Sequence, residues 1–133
     1  MVVPHGPRVS YGLLGGEFKP SPGRSTLGVT TNYSEMRFGV GDPFKSQIAL
    51  ASEIPVIGLP LELAKAVLTG VEDAHMRGAD LSPGALTIDC AAYGVFGSSP
   101  FFFRYLASIL TALLSREWTS ESDLRRVVEE YLP

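Results

Sequence analysis

Few side chains of the kinds that perform catalysis or hold metal ions occur in this sequence. The 133 residues contain one cysteine, Cys90, and two histidines, His5 and His75. A single cysteine excludes an intramolecular disulfide and any zinc or iron–sulfur site that needs several thiolates. Asp89 precedes Cys90, but neighbouring residues of a strand point to opposite faces of the sheet, so we do not expect an acid–nucleophile pair. The residues therefore predict a protein that is not an enzyme and has no cofactor.

Nucleotide chemistry has equally little support. The string Gly12-Leu13-Leu14-Gly15-Gly16 is too short for a phosphate-binding loop and has no suitable lysine beside it. The sequence also lacks a G-x-x-x-x-G-K-[ST] string, so GTP binding of that kind is not expected. An ATP-using enzyme stays open as an alternative at this point.

Composition predicts one domain over residues 1–133. Hydrophobic residues make up 45% and charged residues 19%, which is enough apolar side chain for a core. The formal net charge of −3, from 11 basic and 14 acidic residues, argues against a whole-surface nucleic-acid binder but allows a local basic patch. Residues 101–114 form the most apolar run, which Arg104 interrupts and which is shorter than the ~20 residues that span a bilayer. Because the N-terminus also lacks the pattern of a signal peptide, we expect a cytoplasmic protein without a membrane partner.

Glycine and proline divide the first half into short strands. Apolar alternation predicts strands at residues 8–14, 35–40 and 46–54. Residues 27–31 either extend a neighbouring strand or form one of their own. Residues 19–25 predict an exposed loop.

The second half is helical with one strand. Apolar spacing predicts a helix at 60–77, a strand at 85–93 and a second helix that Ser99 caps. A third helix is predicted at 119–132. The face of the strand expected to meet the core comprises Leu86, Ile88, Cys90 and Ala92. This order of elements predicts an α+β fold with helices on one side of a mainly antiparallel sheet.

The first predicted helix carries a string of residues at a fixed spacing, Pro60, Glu62, Ala66, Val67, Gly70, Val71, Ala74 and Gly78. These residues match the family form P-x-E-x-x-x-A-V-x-x-G-V-x-x-A-x-x-x-G. In this string the chain resembles domain IV of elongation factor G.

Shorter strings agree with this resemblance in order and spacing. The second helix resembles the family form S-S-x-x-x-F-K-x-A-x-S through Ser98, Ser99, Phe103 and Ser108, with Arg104 in place of the lysine. Leu106 replaces the alanine of that form. Upstream, Arg8-Val9-Ser10-Tyr11 and Asn32-Tyr33-Ser34-Glu35 resemble the first two strands. The resemblance covers residues 8–114 and implies a two-layer β-β-β-α-β-α sandwich like that of several ribosomal proteins.

The family resemblance also implies two loops at a tip that reaches the decoding region of the ribosome. The loop matching the family's Gly-Gly-Arg-Gly string is Pro22-Gly23-Arg24-Ser25, and the second is Gly94-Val95-Phe96-Gly97. The second loop is shorter than in the family and lacks its aspartate and histidine. An RNA-facing tip is therefore expected to be reduced.

Four residues are the candidates for contact with RNA or another partner: Arg24, Tyr33, Arg37 and Phe96. Arg24 and Arg37 are predicted to contact phosphate, as is Lys19, because phosphate affinity comes mainly from basic side chains. Tyr33 and Phe96 are predicted to stack on bases, as is Tyr93. The alternatives are ordinary solvated cations and aromatic side chains that pack in the core or in loops.

Two hypotheses about function follow. The first is a stand-alone, non-catalytic binding module like domain IV of elongation factor G, associated with the ribosome or RNA. The second is a homo-oligomeric interaction protein without an RNA role, because Phe101-Phe102-Phe103 exceeds what one helical face can bury. Burial of these phenylalanines against the C-terminal helix is the alternative to such a contact.

Overall fold

The fold combines a mixed sheet with helices. A computed structural model describes residues 1–5, 8–23, 25–31, 56–81, 83–117 and 120–131. The strands are β1 (Val2–His5), β2 (Arg8–Tyr11), β3 (Leu13–Pro20), β4 (Leu27–Thr31), β5 (Val56–Ile57) and β6 (Gly84–Tyr93). The helices are α1 (Leu61–Met76), α2 (Pro100–Leu114) and α3 (Glu121–Tyr131). This is the predicted α+β class.

Strand β6 organises the larger sheet. It pairs with β3 in antiparallel fashion and with β4 in parallel fashion, and β5 adds a short antiparallel pair at Ala92 and Tyr93. Strands β1 and β2 form a separate two-stranded sheet. The parallel β4–β6 pair makes the sheet mixed, where the sequence predicted mainly antiparallel pairing.

A bulge in β6 changes which of its residues face the helices. Gly15 pairs with Cys90 and Gly16 with Ile88, so Asp89 is the extra residue. Beyond it, Ala91 joins the core and Tyr93 packs against it. The prediction that Cys90 lies on the apolar core face is therefore wrong, because the bulge shifts the alternation by one residue.

Helix α1 begins and ends almost where its sequence predicts. Pro60 precedes the first turn, and Gly78 has a φ of +93°, the left-handed conformation that favours glycine after a helix. The buried side of α1 comprises Leu63, Ala64, Ala66, Val67, Gly70, Val71 and Ala74. Apolar spacing alone also predicts Leu68 on this side, but Leu68 is 42% exposed.

Helices α1 and α2 cross at Gly70. A Cβ atom there would overlap the backbone oxygen of Arg104 and lie 2.7 Å from the Cβ of Ala107. The buried Ser108 hydroxyl donates a hydrogen bond to the Gly70 oxygen at 2.8 Å. Gly70 of the first family-like string and Ser108 of the second thus form the close contact between α1 and α2.

Helix α3 docks on the end of α1 and the middle of α2. Its buried residues, Val127 and Tyr131, pack in a cluster with Ala74, Ile109 and Ala112. On α1's side, the Arg77 guanidinium lies 4.2 Å from the centroid of the Tyr131 ring and donates to the Glu130 oxygen at 2.9 Å. At its start, the Ser120 hydroxyl accepts from the Asp123 amide at 3.2 Å, as a helix cap does.

The N-terminal predictions need several corrections. The single strand predicted at 8–14 is two strands, β2 and β3, which Gly12 separates. Lys19 and Pro20 belong to β3 rather than to a loop, and residues 27–31 form a strand of their own, β4. The predicted strands at 35–40 and 46–54 lie outside the described residues.

In the described part of the chain, none of the helices has the length and apolar character needed to cross a membrane.

Candidate functional site

A hydrogen-bonded surface turn, residues 94–98, joins β6 to α2. The Ser98 amide donates to the Gly94 oxygen at 3.1 Å, and the Gly94 amide donates to the Ser98 hydroxyl at 3.0 Å. This hydroxyl donates to the Tyr11 oxygen at 2.5 Å, while the Tyr11 amide donates to the Gly97 oxygen at 2.8 Å. Four hydrogen bonds therefore close the turn and fasten it to β2.

The turn also packs tightly on the Tyr11 ring. Tyr11 is 1% exposed, and a Cβ atom on Gly97 would lie 2.5 Å from both Cδ1 and Cζ of its ring. Only glycine fits under the ring at this distance. The turn directly precedes the Ser99 cap of α2, whose hydroxyl accepts from the Phe102 amide at 3.2 Å.

The two residues at the crest of this fixed turn point into solvent. Val95 is 70% exposed and Phe96 is 87% exposed. Strand β5 lies beside them, because Val56 pairs with Tyr93, and it is also exposed at Val56 and Ile57. We call these four residues, Val56, Ile57, Val95 and Phe96, the uncharged end.

Of the four predicted contact residues, Phe96 is the one that the structure describes. Arg24, Tyr33 and Arg37 lie outside the described residues. Sequence reasoning selected Phe96 as an aromatic residue in a glycine-bounded loop, and its contact role stays a prediction.

The two loops expected to share a tip lie at opposite ends of β6. Pro20 of β3 and Leu27 of β4 both pair with Gly84, whereas the 94–98 turn follows Tyr93. At about 3.3 Å per residue, these ends are about 30 Å apart. Lys19 lies near the Gly84 end, where it pairs with Ala85 in the sheet, and its ammonium is 3.9 Å from a Glu17 carboxylate oxygen. The expectation of one tip made of both loops is therefore wrong, because strand direction separates them.

The arginines of the helices are engaged within the fold. The Arg104 guanidinium donates twice to the Asp73 carboxylate, with Nη2 2.9 Å from Oδ1. This hydrogen bonding lowers the pKa of Asp73 and raises that of Arg104. Arg104, which replaces the family's lysine, thus ties α2 to α1.

The three consecutive phenylalanines separate into two groups. Phe102 and Phe103 are 6% and 0% exposed and pack with α1 and β6. The burial alternative predicted packing against the C-terminal helix, α3, and this is not where they pack. Phe101 is 63% exposed and stacks edge-to-face on Tyr105, with ring centroids 4.7 Å apart. Phe101 and Tyr105 line a shallow groove with Met76 on the outer side of α1 and α2.

The candidate catalytic features of the sequence have structural explanations. Burial, together with the Asp89 charge, raises the pKa of the Cys90 thiol, which favours the unreactive protonated form. Gly15 and Gly16 lie inside β3 against β6, not in a loop. His75 is exposed at the end of α1, 3.6 Å from an Asp80 carboxylate oxygen. Within the described ranges, no three His, Cys, Asp or Glu side chains are grouped to hold a metal ion.

Sequence reasoning missed the attachment of the turn to Tyr11. The partners Ser98 and Tyr11 are 87 residues apart, so no local pattern marks their contact. The pairing of serines at 98 and 99 was the available signal, although it indicated the helix cap alone.

Comparison with protein-family models, curated proteins and solved structures finds no match to this chain. The resemblance to elongation factor G domain IV therefore rests on the quoted strings alone.

Proposed function

We propose that this protein is a stand-alone, non-catalytic binding module, related to domain IV of elongation factor G, that associates with the ribosome through its 94–98 turn. The observation that carries the proposal is the exposed Val95 and Phe96 on a turn held by four hydrogen bonds. A turn that is already ordered loses little conformational freedom when a partner binds. Its position, between the last strand and the second helix of the family-like segment, matches that of the family's second tip loop.

We also propose that the elements of this α+β fold form a two-layer β-β-β-α-β-α sandwich. Support comes from the α1–β6–α2 order and from a core that α1, α2 and β6 share. The family-like string has a structural use here, since Gly70 forms the helix crossing and Gly78 ends α1.

Co-sedimentation with purified ribosomes at low and moderate salt tests the function. We expect the wild-type protein to pellet with ribosomes and Phe96→Ala to pellet at least about tenfold more weakly, as is typical of a central aromatic contact. Met76→Ala is the matched control, because Met76 is 85% exposed but lies at the end of α1.

Two outcomes oppose the proposal. Protein found entirely in the free fraction at low salt contradicts ribosome association. Equal pelleting of Phe96→Ala and the wild type contradicts the role of the turn.

A further inference from the structure

The shallow groove on the outer side of α1 and α2, here called the α1–α2 groove, combines charged and aromatic side chains. Its volume is about 400 Å³. Its lining includes Asp73, Met76, Arg77, Phe101, Arg104 and Tyr105. The two arginines and the one aspartate give the groove a formal charge of +1, whereas the whole chain carries −3. The groove is therefore a local positive site on an acidic molecule and favours an anionic occupant.

Asp73 holds the Arg104 guanidinium in one orientation and leaves part of it available. A guanidinium has five N–H groups, and Arg104 uses two of them, on Nε and Nη2, to donate to the Asp73 carboxylate. The other three have no partner among the described residues, and the side chain is 48% exposed. Because paired N–H groups match the two oxygens of a carboxylate, Arg104 is already ordered to receive a second one.

The aromatic pair of this groove supplies an apolar surface close to the arginines. Phe101 is 63% exposed, and its ring meets that of Tyr105 edge-to-face, which fixes its orientation. Met76 adds a second exposed apolar side chain. Phenylalanine, tyrosine, methionine and arginine are the residue types enriched where proteins contact one another. The lining therefore suits a protein segment that carries an apolar side chain as well as an acidic one.

We propose that the α1–α2 groove binds an acidic peptide segment of a partner protein. A peptide carboxylate accepts hydrogen bonds from the available N–H groups of Arg104, Arg77 adds its charge, and a neighbouring apolar side chain packs on Phe101. RNA fits this groove less well, because its affinity grows with the number of phosphates neutralised and the groove has one uncompensated charge. The inference does not rest on ribosome association, since no residue of the 94–98 turn lines the groove.

Titration of ¹⁵N-labelled protein with the peptide acetyl-Glu-Glu-Phe-Leu-amide tests the groove by NMR. We expect the Phe101 amide and the Nε–H signals of Arg77 and Arg104 to shift and to saturate. The same peptide with glutamine in place of both glutamates should bind at least about fivefold more weakly, because it lacks charge-assisted hydrogen bonds. Phe101→Ala should also weaken binding about fivefold. Leu68→Ala is the control and should leave binding unchanged, since Leu68 is exposed on α1 but lines a different groove.

Asp73→Asn separates a binding role of the groove from a purely structural one. It removes the competing carboxylate and raises the formal charge of the groove from +1 to +2, so the acidic peptide should bind about threefold more tightly. Glu72→Gln removes the same charge from an exposed position of α1 that lines a different groove, and it should change the affinity by less than about 1.5-fold. Circular dichroism and thermal melting establish that each variant is folded. An Asp73→Asn protein that is folded and binds no more tightly than Glu72→Gln contradicts the proposed contact at Arg104.

Three further outcomes overturn the inference. The first is the absence of saturable shifts up to about 10 mM peptide, well above the ~1 mM Kd of a weak specific contact. The second is equal binding of the two peptides, or of the wild type and Phe101→Ala. The third is binding of a uridine hexanucleotide without binding of the acidic peptide, which assigns the groove to RNA. Protein that pellets with ribosomes but ignores the peptide overturns this inference alone, whereas protein that binds the peptide but stays free of ribosomes overturns only the proposed function.

Discussion

The packing of the 94–98 turn against Tyr11 depends on the absence of a side chain at Gly97. The Tyr11 ring occupies the space that a Cβ atom would need. We predict that Gly97→Ala lowers the free energy of unfolding by about 1–3 kcal/mol, because the ring or the turn must move to admit the methyl group. Urea denaturation measures the change.

Gly23→Ala is the control for that substitution. A Cβ atom at Gly23 meets no heavy atom within 4 Å, and its φ is not positive. We expect its stability to equal or slightly exceed that of the wild type, since alanine restricts the unfolded chain. Equal losses in both variants would contradict the account of Gly97.

The Asp73–Arg104 ion pair predicts a dependence of stability on pH. The folded-state pKa of Asp73 lies below its ordinary value of 3.8, so its stabilising effect is present above that pH and is lost as pH falls through the lowered pKa. Both side chains are partly exposed, so solvent screens the pair and its effect on stability is small. Asp73→Asn should therefore be less stable than the wild type at pH 7, and the difference should shrink as pH falls through the lowered pKa of Asp73. A difference that persists at low pH would mean that the asparagine disturbs packing rather than charge.

Single residues were predictable from the sequence where their partners are local. Two serines at helix starts, Ser99 and Ser120, accept a hydrogen bond from the amide three residues further on. Gly78 ends α1 through its own positive φ. The extra residue Asp89 in β6 leaves no such local signal, because a bulge depends on the register with β3. That is why the face assigned to Cys90 was wrong.

Between elements, the closest approach is the α1–α2 crossing at Gly70. Alanine is favoured over glycine in a helix by about 1 kcal/mol, but here its methyl group would overlap backbone atoms of α2, which cannot rotate away. We predict that the steric cost of this overlap exceeds the gain in helix propensity. Gly70→Ala should therefore unfold at a lower temperature, with a loss of about 2 kcal/mol in the free energy of unfolding. Lys65→Ala on the exposed side of α1 is the control and should be neutral. Stabilisation by Gly70→Ala would show that the helices separate easily.

The docking of α3 depends on few side chains and is therefore a separable unit. Val127 is 2% exposed, and Tyr131 is 3% exposed under the Arg77 guanidinium. We predict that Val127→Ala increases amide hydrogen exchange throughout Glu121–Tyr131 while the exchange of β6 changes little. Uniformly faster exchange in both elements would instead mean that α3 unfolds together with the core.

Helices were predicted better than strands because their signals are periodic and local. The stripe of α1 has seven buried positions over four turns, so residues 60–77 were placed to within a residue or so. The break between β2 and β3 and the parallel pairing of β4 depend on distant partners, which alternation alone does not reveal.

Across the whole molecule, strand direction decides which loops share a surface. Pro20 and Leu27 pair with Gly84 and the 94–98 turn follows Tyr93, at opposite ends of one strand. The order of these loops along the chain can be read from the sequence. Which end of the sheet each loop occupies cannot, because that depends on which strands pair with β6 and in which direction.

Salt provides a whole-molecule test of the proposed ribosome contact. Binding through the apolar Val95 and Phe96 should keep its dissociation constant within about threefold between roughly 50 and 500 mM NaCl, since salt screens charged contacts and not apolar ones. Co-sedimentation with ribosomes at both salt concentrations measures this. Binding that is lost at high salt would place the contact among charged residues instead.

The 87-residue separation between Ser98 and Tyr11 has a consequence for folding. Contacts between distant residues close a long loop and carry its entropic cost, so they form late relative to the helices. During synthesis, Tyr11 leaves the ribosome long before Ser98 exists. The contacts of the turn with Tyr11 therefore require both segments, and we expect Phe96 to be held in place only once the two have met.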